Sequence, residues 1–141
     1  ALLLPPWDAV RAGRAHPLEC FALASVWLDE AEKHGVVPVL CTPIFDKTQL
    51  TDLELKRLEA VRVLLLDLSL SHRVPAVDAA GLLAKTEKSF VNKKLTPAGA
   101  DALNGALSRL WSVLNQHVWR LRLKADGDQP PLPPDVETIN D

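Results

Sequence analysis

Four lysines, Lys85, Lys88, Lys93 and Lys94, are the densest set of chemically useful side chains in the chain, and they run directly into Leu95-Thr96-Pro97. Thr96 has the form of an N-cap and Pro97 that of a first helical residue, so the loop is delivered to a helix N-terminus. Cations beside that partly positive end suit a phosphate or an RNA backbone. The competing reading is a solvated lysine loop, because Glu87 dilutes the charge and no interleaved aromatic offers bases a stacking surface. A second candidate lies in His117-Val118-Trp119-Arg120-Leu121-Arg122-Leu123-Lys124. There Trp119, Leu121 and Leu123, with Trp111 upstream, offer an apolar surface to a partner or a neighbouring subunit, or else form last turns packed on their own domain.

The remaining reactive side chains do not assemble into a known pattern. His16 precedes the first long helix, His34 sits in its last turn, His72 lies before a short strand and His117 is far along the last helix. No pair has metal-ligand spacing, Cys20 and Cys41 form no CxxC, and no metal or cofactor is expected. The serines at 25, 69, 71, 89, 108 and 112 lack a Gly-x-Ser-x-Gly setting, and no glycine-rich phosphate loop is present.

At 141 residues the chain suits one domain with one core. Its 48% hydrophobic and 24% charged residues are those of an ordinary globular protein. A formal net charge of −2 gives no global attraction to nucleic acid or anionic lipid, so any such affinity must come from a local patch. Apolar runs such as Val61-Arg62-Val63-Leu64-Leu65-Leu66 are broken by charge well short of the roughly 20 residues of a membrane span. No secretory signal is visible, and Cys20 and Cys41 read as reduced core thiols, which together imply a cytoplasmic or nuclear setting.

Strand and helix patterns alternate. Ala1-Leu2-Leu3-Leu4 reads as a buried strand stopped by Pro5-Pro6. From Pro17 to His34 the residues Cys20, Leu23, Ala24, Trp27, Leu28 and Ala31 form one helical stripe, capped by Gly35. Val36 to Cys41 is a β-branched strand flawed by Pro38. Thr51-Asp52-Leu53-Glu54 is a capping box opening a helix, with Leu58, Val61, Leu65 and Leu68 on its face, that should run to about Ser69. Val74 to Asp78 is a short strand, Ala79 to Ala84 a turn of helix, and Thr96 to about Lys124 the last helix, with Leu103, Leu107, Leu110, Leu114 and Val118 on one side. Residues 126–141 are proline-rich and read as a flexible tail or linker. This alternation predicts a parallel sheet with right-handed crossovers, helices on both faces and a ligand site at the loops beginning at Pro5, Thr42, Asp78 and Lys85.

Leu95-Thr96-Pro97-Ala98-Gly99 resembles the segment that follows the catalytic Asp-x-x-His of the SGNH (GDSL-type) hydrolases. Val36 to Pro43 looks like the family strand after its third block, and Val74 to Asp78 like its Val-Pro-x-Val-Asp strand. The resemblance spans roughly residues 1–115 and implies a three-layer α/β/α, flavodoxin-like fold over residues 1–125. The first strand, the serine and the oxyanion glycine would then lie before Ala1. At the family's catalytic positions this chain has Val91 for Asp and Lys94 for His. Trp7 replaces the oxyanion Asn, while Asp8 matches the acid after it. A protonated lysine cannot serve as the base, so the resemblance implies a scaffold without hydrolysis. It is closest to the esterase-like domains of some retroelement proteins. Assembly or recognition within a larger protein is the expected role, with upstream residues or a second protomer covering the leucine-rich sheet edge. Half of a split ester hydrolase and an anion or nucleic-acid binding module are the rivals.

Overall fold

A computed structural model of the protein describes the backbone of residues 2–126 and the side chains through Gln116. The expected tail at 126–141 therefore lies almost wholly outside the described residues. The chain divides into two compact units, Ala1–Leu103 and Asn104–Asp141.

In the first unit, β1 (Leu2–Leu3), β2 (Val39–Cys41) and β3 (Ala76–Val77) form a parallel sheet in the order β1-β2-β3. Leu3 stands opposite Leu40, which stands opposite Ala76. β1 is joined to β2 through α1 (Trp7–Arg11) and α2 (Pro17–Lys33), and β2 to β3 through α3 (Asp52–His72). Sequential strand order combined with a constant crossover hand returns both connections over the same face. Accordingly α2 and α3 pack on each other and on that face, burying Val10, Cys20, Ala24, Leu28, Leu40, Val61, Leu65 and Leu68. Each fully buried leucine of this set contributes about 2 kcal/mol. Both crossover connections therefore lie over one face of the sheet. Because neighbouring strand residues point oppositely, Cys41 belongs to a separate, smaller cluster with Ala79, Leu83 and Leu103. These come from α4 (Ala79–Lys85) and the first turns of α5 (Pro97–Asp126).

The helices start where the sequence says they should. Thr51 and Glu54 exchange side-chain and backbone hydrogen bonds in a complete capping box, and His16 Nδ1 accepts the Leu18 N–H at the start of α2. Their ends differ. After α2, Gly35 adopts φ 65°, and Val36 N–H is drawn back to the Ala31 carbonyl. Val36 and Val37 are therefore withheld from the expected strand, and Pro38 offers no N–H, so β2 begins only at Val39. The α3 helix outlasts the expected stop at Ser69 and runs to His72. It closes when Arg73 turns left-handed at φ 53° and Val74 N–H reaches the Ser69 carbonyl.

The stretch read as a lysine loop is a β-hairpin. β4 (Phe90–Val91) pairs antiparallel with β5 (Lys94–Leu95) across Asn92 and Lys93, whose φ values of 50° and 65° are those of a type I′ turn. Asn92 is a good residue for that turn; Lys93 is not, and strands of two residues carry no alternation to announce them.

Candidate functional site

Thr42 follows β2 and Asp78 follows β3, so the parallel pairing sets them side by side at the carboxyl end of the sheet. Thr42 is 1% exposed; its hydroxyl donates to Asp78 Oδ1 (3.1 Å) and accepts the Ala80 N–H (3.2 Å). Asp78 is also the N-cap of α4, accepting the Gly81 N–H at 3.1 Å. From α3, Arg62 reaches across with a two-pronged contact, Nε to Oδ1 at 2.9 Å and Nη2 to Oδ2 at 2.6 Å. Arg62 thus ties α3 to the end of β3, and a third contact, Nη1 to Glu59 at 3.3 Å, steadies it. Hydrogen bonds from Arg62 hold the Asp78 carboxyl below its ordinary pKa, helped by Gly81 and Thr42. Asp78 in turn keeps Arg62 firmly protonated. A carboxylate so well satisfied is a weak base and a strong anchor.

Above this anchor lies a cleft of about 440 Å³ bounded by the 3₁₀ turn Lys47–Gln49, Arg62 and Glu59 of α3, Lys85 at the end of α4 and Lys88. Asp46 is engaged in capping the 3₁₀ turn, accepting from Thr48 N–H and hydroxyl. Lys47, Lys85 and Lys88 are exposed and have no ion-pair partner among the described residues. Among the described residues, the cleft therefore presents three ammonium groups without ion-pair partners, with Asp46 and Glu59 as the carboxylates of its lining and Arg62 balanced by Asp78. It can attract and hold an anion through charge and N–H donors.

The expected four-lysine patch is split. Lys85 and Lys88 line the cleft; Lys93 and Lys94 do not, riding exposed on the hairpin, with Lys94 opposite Val91. Lys88 owes its position to the segment that carried the family resemblance. Thr96 N–H donates to the Ser89 carbonyl (2.8 Å), its hydroxyl is shared between the carbonyls of Lys88 and Ser89, and it accepts the Gly99 N–H (3.2 Å). A Cβ on Gly99 would stand 2.6 Å from the Ser89 carbonyl oxygen and 2.7 Å from Leu95, so only glycine lets the chain approach this closely. Lys88 is left at φ 54°, a strained conformation for a side-chain-bearing residue. The Thr-Pro-x-Gly motif is here a staple holding the wall of the cleft.

Other expected positions are dispersed. Trp7 opens α1, half-buried, and Asp8 beside it pairs with Arg11 at 2.8 Å. Val91 is 58% exposed. Ser89 is buried, its hydroxyl donating to the carbonyls of Leu83 and Thr86. His34 lies 3.7 Å from Glu30. Cys20 and Cys41 are buried and free, and burial pushes the Cys41 thiol up to about 11. Among the described residues no three potential ligands gather as a metal site, and no helix is long and apolar enough to cross a membrane. In the second unit Trp111 is 70% exposed on α5; the side chains of Trp119, Leu121 and Leu123 lie outside the described residues.

The sequence reading placed the loops beginning at Thr42 and Asp78 at the ligand end of the sheet but missed Lys47 and Arg62 as members of the site. One signal was present for Arg62: a single charge inside Val61-Arg62-Val63-Leu64-Leu65-Leu66 must find a partner. No known family, curated protein or solved structure matches the chain.

Proposed function

We propose that this chain is a non-catalytic domain of SGNH-like, three-layer flavodoxin-like plan that recognises an anionic group on a partner molecule at the carboxyl-end cleft. The observation that carries the reading is the convergence of Lys47, Lys85 and Lys88, unpaired among the described residues, around an anchored Arg62. Phosphate, free or in an RNA backbone, is the matching chemistry. The reduced, buried cysteines support a cytoplasmic or nuclear setting. Isothermal titration with inorganic phosphate and with a short RNA tests it. K85A/K88A should weaken binding about tenfold and flatten the salt dependence; unchanged affinity sinks the reading.

Absence of turnover rests on residue identity at the family positions, Trp7, Val91 and Lys94, and on hydroxyls such as those of Thr42 and Ser89 that are already engaged. V91D/K94H would set a carboxylate and an imidazole opposite one another on the hairpin, yet no nitrophenyl acetate cleavage above background is expected from it. Serine-phosphonate-sensitive turnover would revive the split-hydrolase alternative.

Assembly is favoured by a separate observation. Leu2 and Leu4 are each 44% exposed and, with Trp27 and Glu30, line a shallow recess beside β1, which pairs only with β2 among the described residues. Pairing of β1 with β1 of a second copy would cover that edge. Sedimentation equilibrium of L2D/L4D against the parent chain measures it, and identical monomeric profiles for both would dismiss it.

A further inference from the structure

The turn from Ala12 to His16 closes against the first turns of α3 and leaves a recess of about 570 Å³ that shares no lining residue with the lysine cleft. Its walls bring together Arg14, Lys56 and Arg57; Glu19 is the one carboxylate among the lining residues. The Arg57 guanidinium is held in place by backbone. Nη1 donates to the Arg11 carbonyl at 3.3 Å, and the group lies over Gly13, where a Cβ would stand 2.9 Å from Nη1 and 3.1 Å from Cζ. Gly13 also turns the chain at φ 76°. Neither Arg57 nor Lys56 has an ion-pair partner among the described residues, and Arg14 meets Asp8 only at 3.6 Å with both side chains mostly in water. Such an exposed pair contributes little and is readily exchanged for a better anion. Glu54 is committed to Thr51 and Arg11, and Asp8 also to Arg11.

We propose that this recess is a second anion site, one that takes a phosphate group on the Arg57 fork, with Arg14 and Lys56 supplying charge. Three cations against one carboxylate leave about two positive charges, which matches the −1.5 to −2 of a phosphate monoester near neutral pH. Because one N–H of Arg57 is fixed by the Arg11 carbonyl, the remaining fork is presented with little conformational freedom left to lose, which is where arginine differs from lysine.

Amide and Arg57 side-chain resonances of the full chain, followed during titration with inorganic phosphate in the millimolar range, test the assignment. Gly13, Arg14, Leu18 and Arg57 should shift together and saturate, and K85A/K88A should leave that titration unchanged, which separates this site from the cleft. R57K preserves charge but removes the fork, and G13A preserves every charge but displaces the guanidinium. Each should weaken phosphate at the recess about tenfold, with thermal melts establishing that both variants are folded. A parental chain whose recess resonances stay still, or an R57K variant that binds phosphate as tightly as the parent, overturns the proposal. Acetate shifting the same resonances at equal concentration would also overturn it, as the mark of a generic carboxylate site.

Discussion

Of the four lysines between positions 85 and 94, two flank the cleft and two ride the hairpin beside it, and what separates the pairs is the structure beneath them. Lys85 ends α4, whose N-cap Asp78 is gripped by Arg62 from α3, and Lys88 is fixed by the carbonyls that Thr96 holds. Lys93 and Lys94 sit instead on a turn and a two-residue strand, Lys94 paired with Val91. Charge density along the chain favours Lys93 and Lys94, because Glu87 dilutes the other pair; convergence in space favours Lys85 and Lys88. A patch becomes a site when independent elements aim its charges at one volume, because the entropy of ordering long side chains is then met by the fold.

The largest expected effect comes from breaking the anchor. Asp78→Ala removes the acceptor for Arg62, Thr42 and Gly81 at once and should cost about 3 kcal/mol in urea unfolding, while releasing Lys85 and α4 from the cleft wall. The same anchor has a pH signature. Since Arg62 depresses the folded Asp78 carboxyl below its ordinary 3.8, the stabilisation is complete above about pH 5 and drains away as pH falls from there through the lower folded value. D78N should therefore lose much less stability on acidification than the parent; parallel acid limbs would remove Asp78 from the centre of the comparison.

Gly99→Ala attacks the other wall. Its Cβ has no room against Ser89 and Leu95, so about 2 kcal/mol should be lost. Amide exchange should quicken at Ser89 and Thr96 but not in β1 to β3. Exchange that quickens uniformly would mean that the hairpin and sheet are one cooperative unit. The smallest effect is the sharpest discriminator: K93A/K94A should leave phosphate affinity within about twofold of the parent, where K85A/K88A reduces it about tenfold. Equal losses from the two double variants would erase the distinction between cleft and hairpin.

Much of this was legible before any coordinates. The capping box at Thr51 and Glu54, the helical stripe from Cys20 to Leu28 and the buried, unpaired cysteines follow from local patterns whose physics is complete within a few residues. The type I′ hairpin was not, because Lys93 holds a left-handed conformation that its side chain does not favour and its partner strands are too short to alternate. The role of Leu95-Thr96-Pro97-Ala98-Gly99 was half legible. Its helix start is local, but its grip on Lys88 and Ser89 spans a hairpin.

The amino-acid order by itself determined where helices begin and which faces are apolar, since each is a matter of residue type and near-neighbour spacing. Tertiary structure alone decided that Lys47, Arg62, Lys85 and Lys88 surround one cleft while Lys93 and Lys94 stand away from it. That outcome depends on parallel pairing of β2 with β3, which lays Thr42 beside Asp78 across 36 positions of chain. Contacts of that separation depend on strand register and crossover hand, and neither is written in any local stretch of residues.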